Sequence, residues 1–371
     1  MINPPYSGLV MGKKEFFMKN MKLLLAILAI ALVFGMTSCG RPGPGPGGDD
    51  GINPGSTGGN GLFTIRAIAF GGGKFVAGGS AQAGEADYRD TVKMAYSTNG
   101  TSWTYGNCSD IFGSNSTTNV TAIAYGNSKF VAVGVTGKMA TSSDGITWTE
   151  VTTSTFGSNA INAIAFGGDK FVAGSKYGTM ATSSDGVTWT AVTASPNIPS
   201  TINAIAYGGG KFVAVGNGMA TSTNGTEWTK VTPSAIDSTI NAIAYGGDKF
   251  VAGGDRGKMA TSPDGTTWTA INIGTLLDYK HTSGATQQAD IYAIAYGGGK
   301  FYAGGGSGSS SDSQSLGGGN SVGKCISSTN GSAWTAAANS STFATITIRA
   351  IAFGDGKFVV CGDLRKIWAG N

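Results

Sequence analysis

Few residues in this sequence are suited to acid–base or metal chemistry, and this narrows the reactions open to it. The 371 residues include a single histidine, His281. A serine–histidine–aspartate triad would have to use His281, and a zinc site with two histidines is excluded. His281 lies in a polar stretch, where we expect an exposed side chain and not a catalytic base. The sequence predicts no catalytic residue, no metal site and no cofactor.

The main candidate site is a set of polar residues at one recurring position. Each stands two residues before the isoleucine of a repeated Ala-Ile-Ala-(Phe/Tyr)-Gly segment: Arg66, Thr121, Asn162, Asn203, Asn241, Tyr292 and Arg349. Arg66 and Arg349 become neighbours if the repeats close into a ring, and paired arginines bind carboxylates and other anions. The alternative is that these residues are solvated or neutralise nearby acids. The predicted ligand-binding set is Arg66, Arg349, Tyr292, Arg256, Arg365, Asn162, Asn203 and Asn241.

The elements that would position these residues are internal repeats. The repeated isoleucines are Ile68, Ile123, Ile164, Ile205, Ile243, Ile294 and Ile351, and a Lys-Phe pair follows each of them. The core unit is about 40 residues long, with insertions in some copies. Each unit contains four segments typical of short strands, which we name a (INAIAYG), b (KFVAVG), c (KMATS) and d, beginning at a tryptophan.

Four strands per unit and seven units predict an all-β fold, a seven-bladed β-propeller of four-stranded antiparallel blades. The 62 glycines argue against long helices. In strand a the isoleucine and the aromatic residue share one face and the alanines the other, so a bulky face can pack against the next blade's small face. The last unit ends at RKIWAGN, where strand c would run. We therefore expect an incomplete seventh blade of three strands; a six-bladed ring is the alternative.

The joint between strands c and d carries a recurring motif, for example SSDGITW at 142–148. It resembles the Asp-box, or BNR, repeat of sialidases and other bacterial propellers, with one residue fewer between the aspartate and the glycine. The resemblance extends over nearly all of residues 62–371. It implies a propeller fold and leaves the function open, because the boxes themselves are structural.

Insertions are confined to one set of connections. Antiparallel order puts the a–b and c–d turns on one face and the b–c and d–a loops on the other. The variable segments all belong to the second set: 80–92, 105–119, 272–290, 305–323 and 336–346. Variable loops on a rigid scaffold commonly bind ligands. The sequence predicts a protein or glycan ligand on this face.

The resemblance to sialidases also implies a catalytic set, which the sequence matches poorly. Such enzymes use an arginine triad, a tyrosine nucleophile activated by glutamate, and an acidic aspartate, and usually carry an early Arg-Ile-Pro segment. The first unit here reads TIRAIAF and lacks that proline. Glu85, near Tyr88, is the one propeller glutamate on the variable face. We predict a non-catalytic protein; the alternatives are a sialidase-like glycoside hydrolase and, since similar Asp-box propellers serve this way, an assembly factor for an envelope complex.

The first residues are typical of an export signal. Four lysines between positions 13 and 22 precede an apolar run at 23–34 and small residues. Ser38-Cys39 resembles the lipobox of bacterial lipoproteins, which implies that Cys39 is lipidated. We assign 1–38 to a lipoprotein signal peptide, 39–61 to a Gly/Pro-rich tether and 62–371 to the propeller. The predicted location is the bacterial cell envelope, at the outer membrane; an ordinary signal peptide with an incidental cysteine is the alternative.

Charge and cysteines limit the remaining partners. The net charge of +4 comes mostly from the signal lysines, so no basic stripe indicates nucleic acid binding. Cys108, Cys325 and Cys361 are interpreted as three separately buried residues, with one disulfide plus a free thiol as the alternative. We expect a monomer, although an open edge on the seventh blade could pair with another chain.

Overall fold

The computed structural model describes residues 38–39, 63–81, 94–106, 108–113, 119–232, 235–281, 284–307, 322–337, 340–343, 346–363 and 367–370. Over these residues the protein is a seven-bladed β-propeller, as predicted. Consecutive strands within each blade pair antiparallel, in the order a, b, c, d from the centre outwards. Proposed boundaries at 1–38 and 39–61 fall almost entirely outside the described residues.

The two inner strands of every blade follow the repeat closely. Strand a comprises Phe63–Gly71, Val120–Gly126, Ile161–Gly167, Ile202–Gly208, Ile240–Gly246, Asp290–Gly297 and Ile348–Gly354 in blades one to seven. Strand b comprises Lys74–Ala81, Lys129–Gly134, Lys170–Ser175, Lys211–Gly216, Lys249–Gly254, Lys300–Gly306 and Lys357–Gly362.

The outer strands are shorter. Strand c comprises Met94–Ser97, Met139–Ser142, Met180–Ser183, Gly218–Ser222, Met259–Ser262, Gly323–Ser328 and Ile367–Gly370. Strand d comprises Thr104–Gly106, Trp148–Glu150, Thr190–Ala191, Thr229–Val231, Thr269–Ile271 and Thr335–Ala336 in blades one to six. We call the side with the a–b and c–d turns the turn face and the side with the b–c and d–a loops the loop face.

Neighbouring blades pack a bulky face against a small one, as the alternation in strand a predicts. Ala122 and Ala124 of blade two lie in one apolar cluster with Ile164 and Phe166 of blade three. At the end of strand a, a Cβ placed on Gly126 would come within 2.0 Å of the Phe166 ring. The same glycine–aromatic contact recurs between every pair of adjacent blades. Glycine is required there because the next blade's ring occupies the space of a side chain.

The box motif stabilises the c–d turn with side-chain acceptors. In blade two, Asp144 Oδ1 accepts hydrogen bonds from the amides of Ile146 and Thr147, both at 2.8 Å. Ser142 Oγ accepts from the amide of Gly145, whose φ of +73° is the left-handed region. Asn replaces Asp in three boxes with the same acceptor geometry. The boxes are therefore turn-forming elements, as the resemblance implies.

Blade seven has three strands over the described residues, as predicted. In the register of strands b and c, Trp368 stands opposite Val360, where blade two has Ala140 opposite Ala132. The small Ala140 shares its cluster with the box tryptophan Trp148. Trp368 packs against the cluster between blades six and seven. In blade seven an indole is therefore supplied by strand c, whereas in blade two it is supplied by the tryptophan of the box.

Three additions lie outside the repeat. The 272–290 insertion contains a hairpin, Asp278–Lys280 paired with Thr286–Gln288. A short helix, Ser109–Phe112, follows Cys108. Ser38–Cys39 pairs antiparallel with strand d of blade two, so that this sheet has five strands. Short 3₁₀ turns cover Val135–Gly137, Asp255–Gly257 and Ser340–Phe343.

The cysteine interpretation needs correction. Cys325 and Cys361 are buried free thiols, as predicted. Cys108 is disulfide-bonded and is not a third free thiol. Because Cys325 and Cys361 are both free, neither is its partner. Burial raises the pKa of the Cys325 thiol to about 12, and it raises the pKa of Cys361 further.

Candidate functional site

A β-bulge in strand a of every blade positions the candidate residues. In blade three Ile161 pairs with Ser175 and Ala163 with Gly174, so Asn162 between them has no partner residue on strand b. The same shift occurs in the other six blades, at Arg66, Thr121, Asn203, Asn241, Tyr292 and Arg349. A bulged residue is free of the strand's alternation, and its side chain is re-aimed. Here the seven side chains are the polar ring that the repeat predicts.

Six of these residues line one cavity at the centre of the ring, with a volume of about 180 Å³. Arg349 is represented there by its neighbours Ala350 and Ile351. Below the polar level, the wall consists of the repeated alanines and isoleucines. The mouth of the channel is therefore polar and its interior apolar, and both lie at the start of strand a, on the loop face.

Three ring residues connect adjacent blades. Thr121 Oγ1 donates to the Ile161 carbonyl of blade three. Asn162 Nδ2 donates to the Ile202 carbonyl at 3.2 Å, and Asn203 Nδ2 to the Ile240 carbonyl at 3.1 Å. Each bond gives a main-chain carbonyl of the next blade a side-chain donor. For Asn162 and Asn203, this gives a structural role at a position predicted to bind ligand.

In the other part of the ring, the bulged residue contacts the residue fourteen positions later. This residue directly follows strand b in blades five and seven and lies near the end of strand b in blade one. Asn241 Nδ2 donates to Asp255 Oδ1 at 2.8 Å. Arg349 binds Asp363 through Nε–Oδ1 at 3.0 Å and Nη2–Oδ2 at 3.3 Å. In blade one the partner is Ser80, and Arg66 Nε lies 3.5 Å from its Oγ.

Tyr292 belongs to an acidic sector of the mouth. Its hydroxyl donates to Asp290 Oδ2 at 3.0 Å, and Asp290 Oδ1 also accepts from the Arg256 amide at 2.7 Å. Burial, followed by the negative charge of Asp290, raises the pKa of Tyr292 well above its usual value. The Arg349 guanidinium lies over the Tyr292 ring, 5.3 Å from its centroid. Tyr292 is thus a neutral donor and platform, and its environment is the opposite of one that activates a nucleophile.

Arg66 differs from Arg349 in its surroundings. Its side chain is exposed, and among the described residues it forms no ion pair. Protein around the guanidinium removes part of its water, and Arg349 adds positive charge. Both effects lower the pKa of Arg66 below its usual range, and Asp363 opposes them in part. Arg66 remains charged at neutral pH, since guanidinium is not deprotonated in proteins.

Of the two remaining predicted residues, the structure describes Arg256. Arg256 lines a separate cavity of about 480 Å³ between the loops of blades four and five, beside Asp237 and Asp255. Arg365, Glu85 and Tyr88 lie outside the described residues. The hairpin residue Tyr279 is buried in the core, and the His281 side chain is half-buried.

Sequence reasoning missed the carboxylates Asp255, Asp290 and Asp363. Asp255 and Asp363 hold the same repeat position: the amide of each donates to the carbonyl of a threonine, Thr239 or Thr347, two residues before the bulge. That common spacing of fourteen from the bulge residue was visible in the sequence. Without knowledge of the bulge, nothing indicated that the two side chains would meet.

Within the described residues, no cluster of three or more His, Cys, Asp or Glu side chains could hold a metal ion. No helix in the same part of the chain is long and apolar enough to cross a membrane.

Comparison with known proteins establishes the fold. No protein-family model and no curated protein matches the sequence. Among solved structures, YCF48 bound to D1 peptide is 13% identical, with a TM-score of 0.56 over 88% of this chain and 98% of the other. YCF48 from Cyanidioschyzon merolae is 14% identical, with a TM-score of 0.57 over 83% of this chain and 95% of the other.

An enzyme is among the similar structures as well. Virginiamycin B lyase from Staphylococcus aureus is 14% identical, with a TM-score of 0.58 over 82% of this chain and 93% of that chain. At these identities the likeness shows the propeller fold alone. A lyase and a peptide-bound propeller share it, so function has to be argued from the site.

Proposed function

We propose that this protein is a non-catalytic binding scaffold that holds a partner protein on its loop face, over the channel mouth. The observation that carries the proposal is the ring of bulges: every blade has one in strand a, and six of the seven bulged residues line the same mouth, on the face to which the sequence assigns the insertions. The opposite face consists of box turns whose polar groups are engaged in their own hydrogen bonds.

A protein partner is favoured over a glycan by the chemistry of the mouth. The ring amides of Asn162 and Asn203 already donate to main-chain carbonyls, and the cavity wall below them is apolar. A sugar would need several unengaged polar groups, whereas a protein segment can fill an apolar channel with a side chain. The solved YCF48 structure holds a peptide on a propeller of the same fold, which supports this choice.

A pair of exposed residues in blade three allows a direct test. Tyr177 is 65% exposed in the b–c loop, and Val187 is 43% exposed in the c–d turn. A photoreactive phenylalanine analogue is placed at one of the two positions at a time. At position 177 it reports on the loop face, and at position 187 it reports on the turn face. After irradiation of cells, we expect one discrete protein adduct from position 177 and none from position 187. Equal adducts from both positions, or adducts from 187 alone, would contradict the proposal.

We further propose export and attachment to the bacterial envelope through a lipid on Cys39. The lipid would occupy the Cys39 sulfur. The sequence has four cysteines, of which Cys325 and Cys361 are free and Cys108 is disulfide-bonded. A lipid on the Cys39 sulfur would leave that sulfur unavailable for a disulfide. The mass of the unreduced Cys108 peptide decides: a free thiol together with fatty-acid labelling lost in Cys39→Ser supports the anchor, and a peptide disulfide-linked to Cys39 excludes it.

A further inference from the structure

The two arginines of the mouth occupy equivalent positions with unequal partners. Arg349 and Arg66 are the bulged residues of adjacent blades seven and one. A polar residue stands fourteen positions after each of them, directly after strand b in blade seven and near the end of strand b in blade one. That position is Asp363 for Arg349 and Ser80 for Arg66. The same scaffold thus holds one arginine with a carboxylate and one without.

The Arg349–Asp363 pair shows what fits an arginine at this position. Two guanidinium nitrogens bind the two carboxylate oxygens, at 3.0 and 3.3 Å. Such a bidentate pair has two charge-assisted hydrogen bonds, which are stronger than bonds between neutral groups. Among the described residues, Arg66 has only the weak contact of Nε to Ser80 Oγ, at 3.5 Å, and a hydroxyl brings no charge.

The electrostatics of the mouth favour a single negative charge there. Arg66 and Arg349 together carry two positive charges, and of the carboxylates that the structure describes only Asp363 is within hydrogen-bonding distance of either. On the other side of the mouth, Asp255 and Asp290 repel anions. A monoanion placed at Arg66 completes the balance, and a polyanion would meet these two acids.

The space behind Arg66 is small and apolar. The cavity of about 180 Å³ is walled below the ring by alanine and isoleucine side chains. A carboxylate at Arg66 therefore has room for a short hydrocarbon stem in the channel, where burial of apolar surface adds to the ion pair.

Building on the proposed function, we propose that Arg66 anchors the ligand through a carboxylate on a short apolar stem, bound as Asp363 is bound by Arg349. Arg349 does not contact the ligand's carboxylate in this proposal, because its charge is balanced by Asp363 and its guanidinium lies over the Tyr292 ring.

The test uses butyrate as the probe and the Arg66 Nε–H resonance as the readout. Butanol controls for the apolar stem and inorganic phosphate for a general anion site. We expect saturable shifts with butyrate, at least tenfold weaker binding of butanol, and no tighter binding of phosphate. Butanol binding as well as butyrate, or phosphate binding more tightly, would overturn the assignment.

A matched pair of variants at Ser80 isolates the charge. Ser80→Asp supplies the carboxylate that blade seven already has, and Ser80→Asn has nearly the same shape without the charge. We expect Ser80→Asp to weaken butyrate binding at least tenfold and Ser80→Asn to change it less than twofold. Equal effects of the two variants, each with an unchanged unfolding midpoint, would overturn the proposal. Arg66→Gln, which leaves Ser80 in place, must also lose butyrate binding.

Peptides identify the source of the carboxylate. Two short apolar peptides carry one carboxylate each: the first has a free carboxyl terminus, and the second is amidated at its terminus and contains one glutamate. If the proposal holds, at least one of them binds, and the one that binds shows which carboxylate is recognised. Binding of the amidated peptide without glutamate at equal affinity would overturn it. Adducts from position 177 without any carboxylate binding would refute the carboxylate site at Arg66 and leave the proposed protein partner standing. Butyrate binding at Arg66 without any adduct from position 177 would refute the proposed protein partner and leave the carboxylate site standing.

Discussion

The ring of Phe70 in blade one lies against Gly354 of blade seven, so closely that a Cβ on Gly354 would come within 2.1 Å of it. This is the seam at which the first and last blades meet. Nearby, Lys357 Nζ of blade seven donates to the Asn99 carbonyl of blade one at 3.2 Å. The seam therefore uses the same glycine–aromatic contact as the six other junctions, and it holds the two arginines of the mouth next to each other.

Replacing Gly354 should open that seam. Gly354→Ala puts a methyl group into the Phe70 ring, and overpacking of this kind costs about 1–3 kcal/mol of unfolding free energy. Phe70→Leu removes the ring and should make the alanine tolerable, so that the double variant is less destabilised than the sum of the single variants. Urea unfolding measures all three. Additive effects would show that the clash is not what Gly354 avoids.

Asn162 should prove structural. Asn162→Ala leaves the Ile202 carbonyl without its donor, which costs about 1 kcal/mol of stability. Butyrate binding at Arg66 should stay within twofold of the original, because Asn162 lies two blades away. Chemical denaturation measures the unfolding free energy, and the NMR titration measures the affinity for butyrate. Lost binding without lost stability would assign Asn162 to the ligand.

The box aspartates should make stability depend on pH in acid. Hydrogen bonds from the amides of Thr188 and Val187 lower the pKa of Asp185 to about 2. A carboxyl with a lowered pKa contributes stability above its unfolded pKa, near 4, and loses it as the pH falls to 2. Asp185→Asn keeps the acceptor oxygen and cannot titrate. We expect its unfolding free energy to fall less between pH 4 and 2 than that of the original protein.

The size of this effect is about 1 kcal/mol, because the turn is partly exposed to solvent and water screens the charge. The natural Asn boxes supply the reciprocal variant: Asn224→Asp should add acid sensitivity of the same sign. Unfolding in guanidinium chloride at pH 2, 4 and 6 measures both. Parallel pH profiles for all three proteins would contradict the assignment.

Trp368 should stabilise the last blade. Trp368→Ala removes a half-buried indole from the cluster between blades six and seven, and we expect a loss of about 2 kcal/mol. Tyr177→Ala is the control, since that aromatic side chain is 65% exposed. Thermal and urea unfolding compare them. Equal effects of the two variants would mean that Trp368 does not fill the blade.

The free thiols should be inert in the native protein. Cys325 is buried, and a pKa of about 12 leaves almost no thiolate at neutral pH. We expect no labelling of Cys325 or Cys361 by a thiol reagent until denaturant is added, after which both react. Tryptic mass mapping separates them from Cys108. Rapid native labelling at either site would contradict the buried environment.

The sequence by itself determined the blades. The repeat of Ile, an aromatic residue and Lys-Phe specifies strands with one bulky and one small face, and the box residues specify the turns, because both are local patterns that each unit carries complete. From these follow the number of blades, the polar position near the channel and the face that carries the insertions. The glycine of one blade and the aromatic residue of the next, which pack against each other, both belong to these repeated segments.

Only the tertiary structure decided which of the polar residues are engaged. A bulge removes each ring residue from strict alternation, and its partner is then set by geometry between strands or between blades. Thus Asn162 and Asn203 serve the next blade, Arg349 is balanced by Asp363, and Arg66 faces a serine. These pairings depend on ring closure and on a register shift that the residue types do not reveal. The amino-acid pattern alone therefore could not show which of the two arginines is paired with a carboxylate.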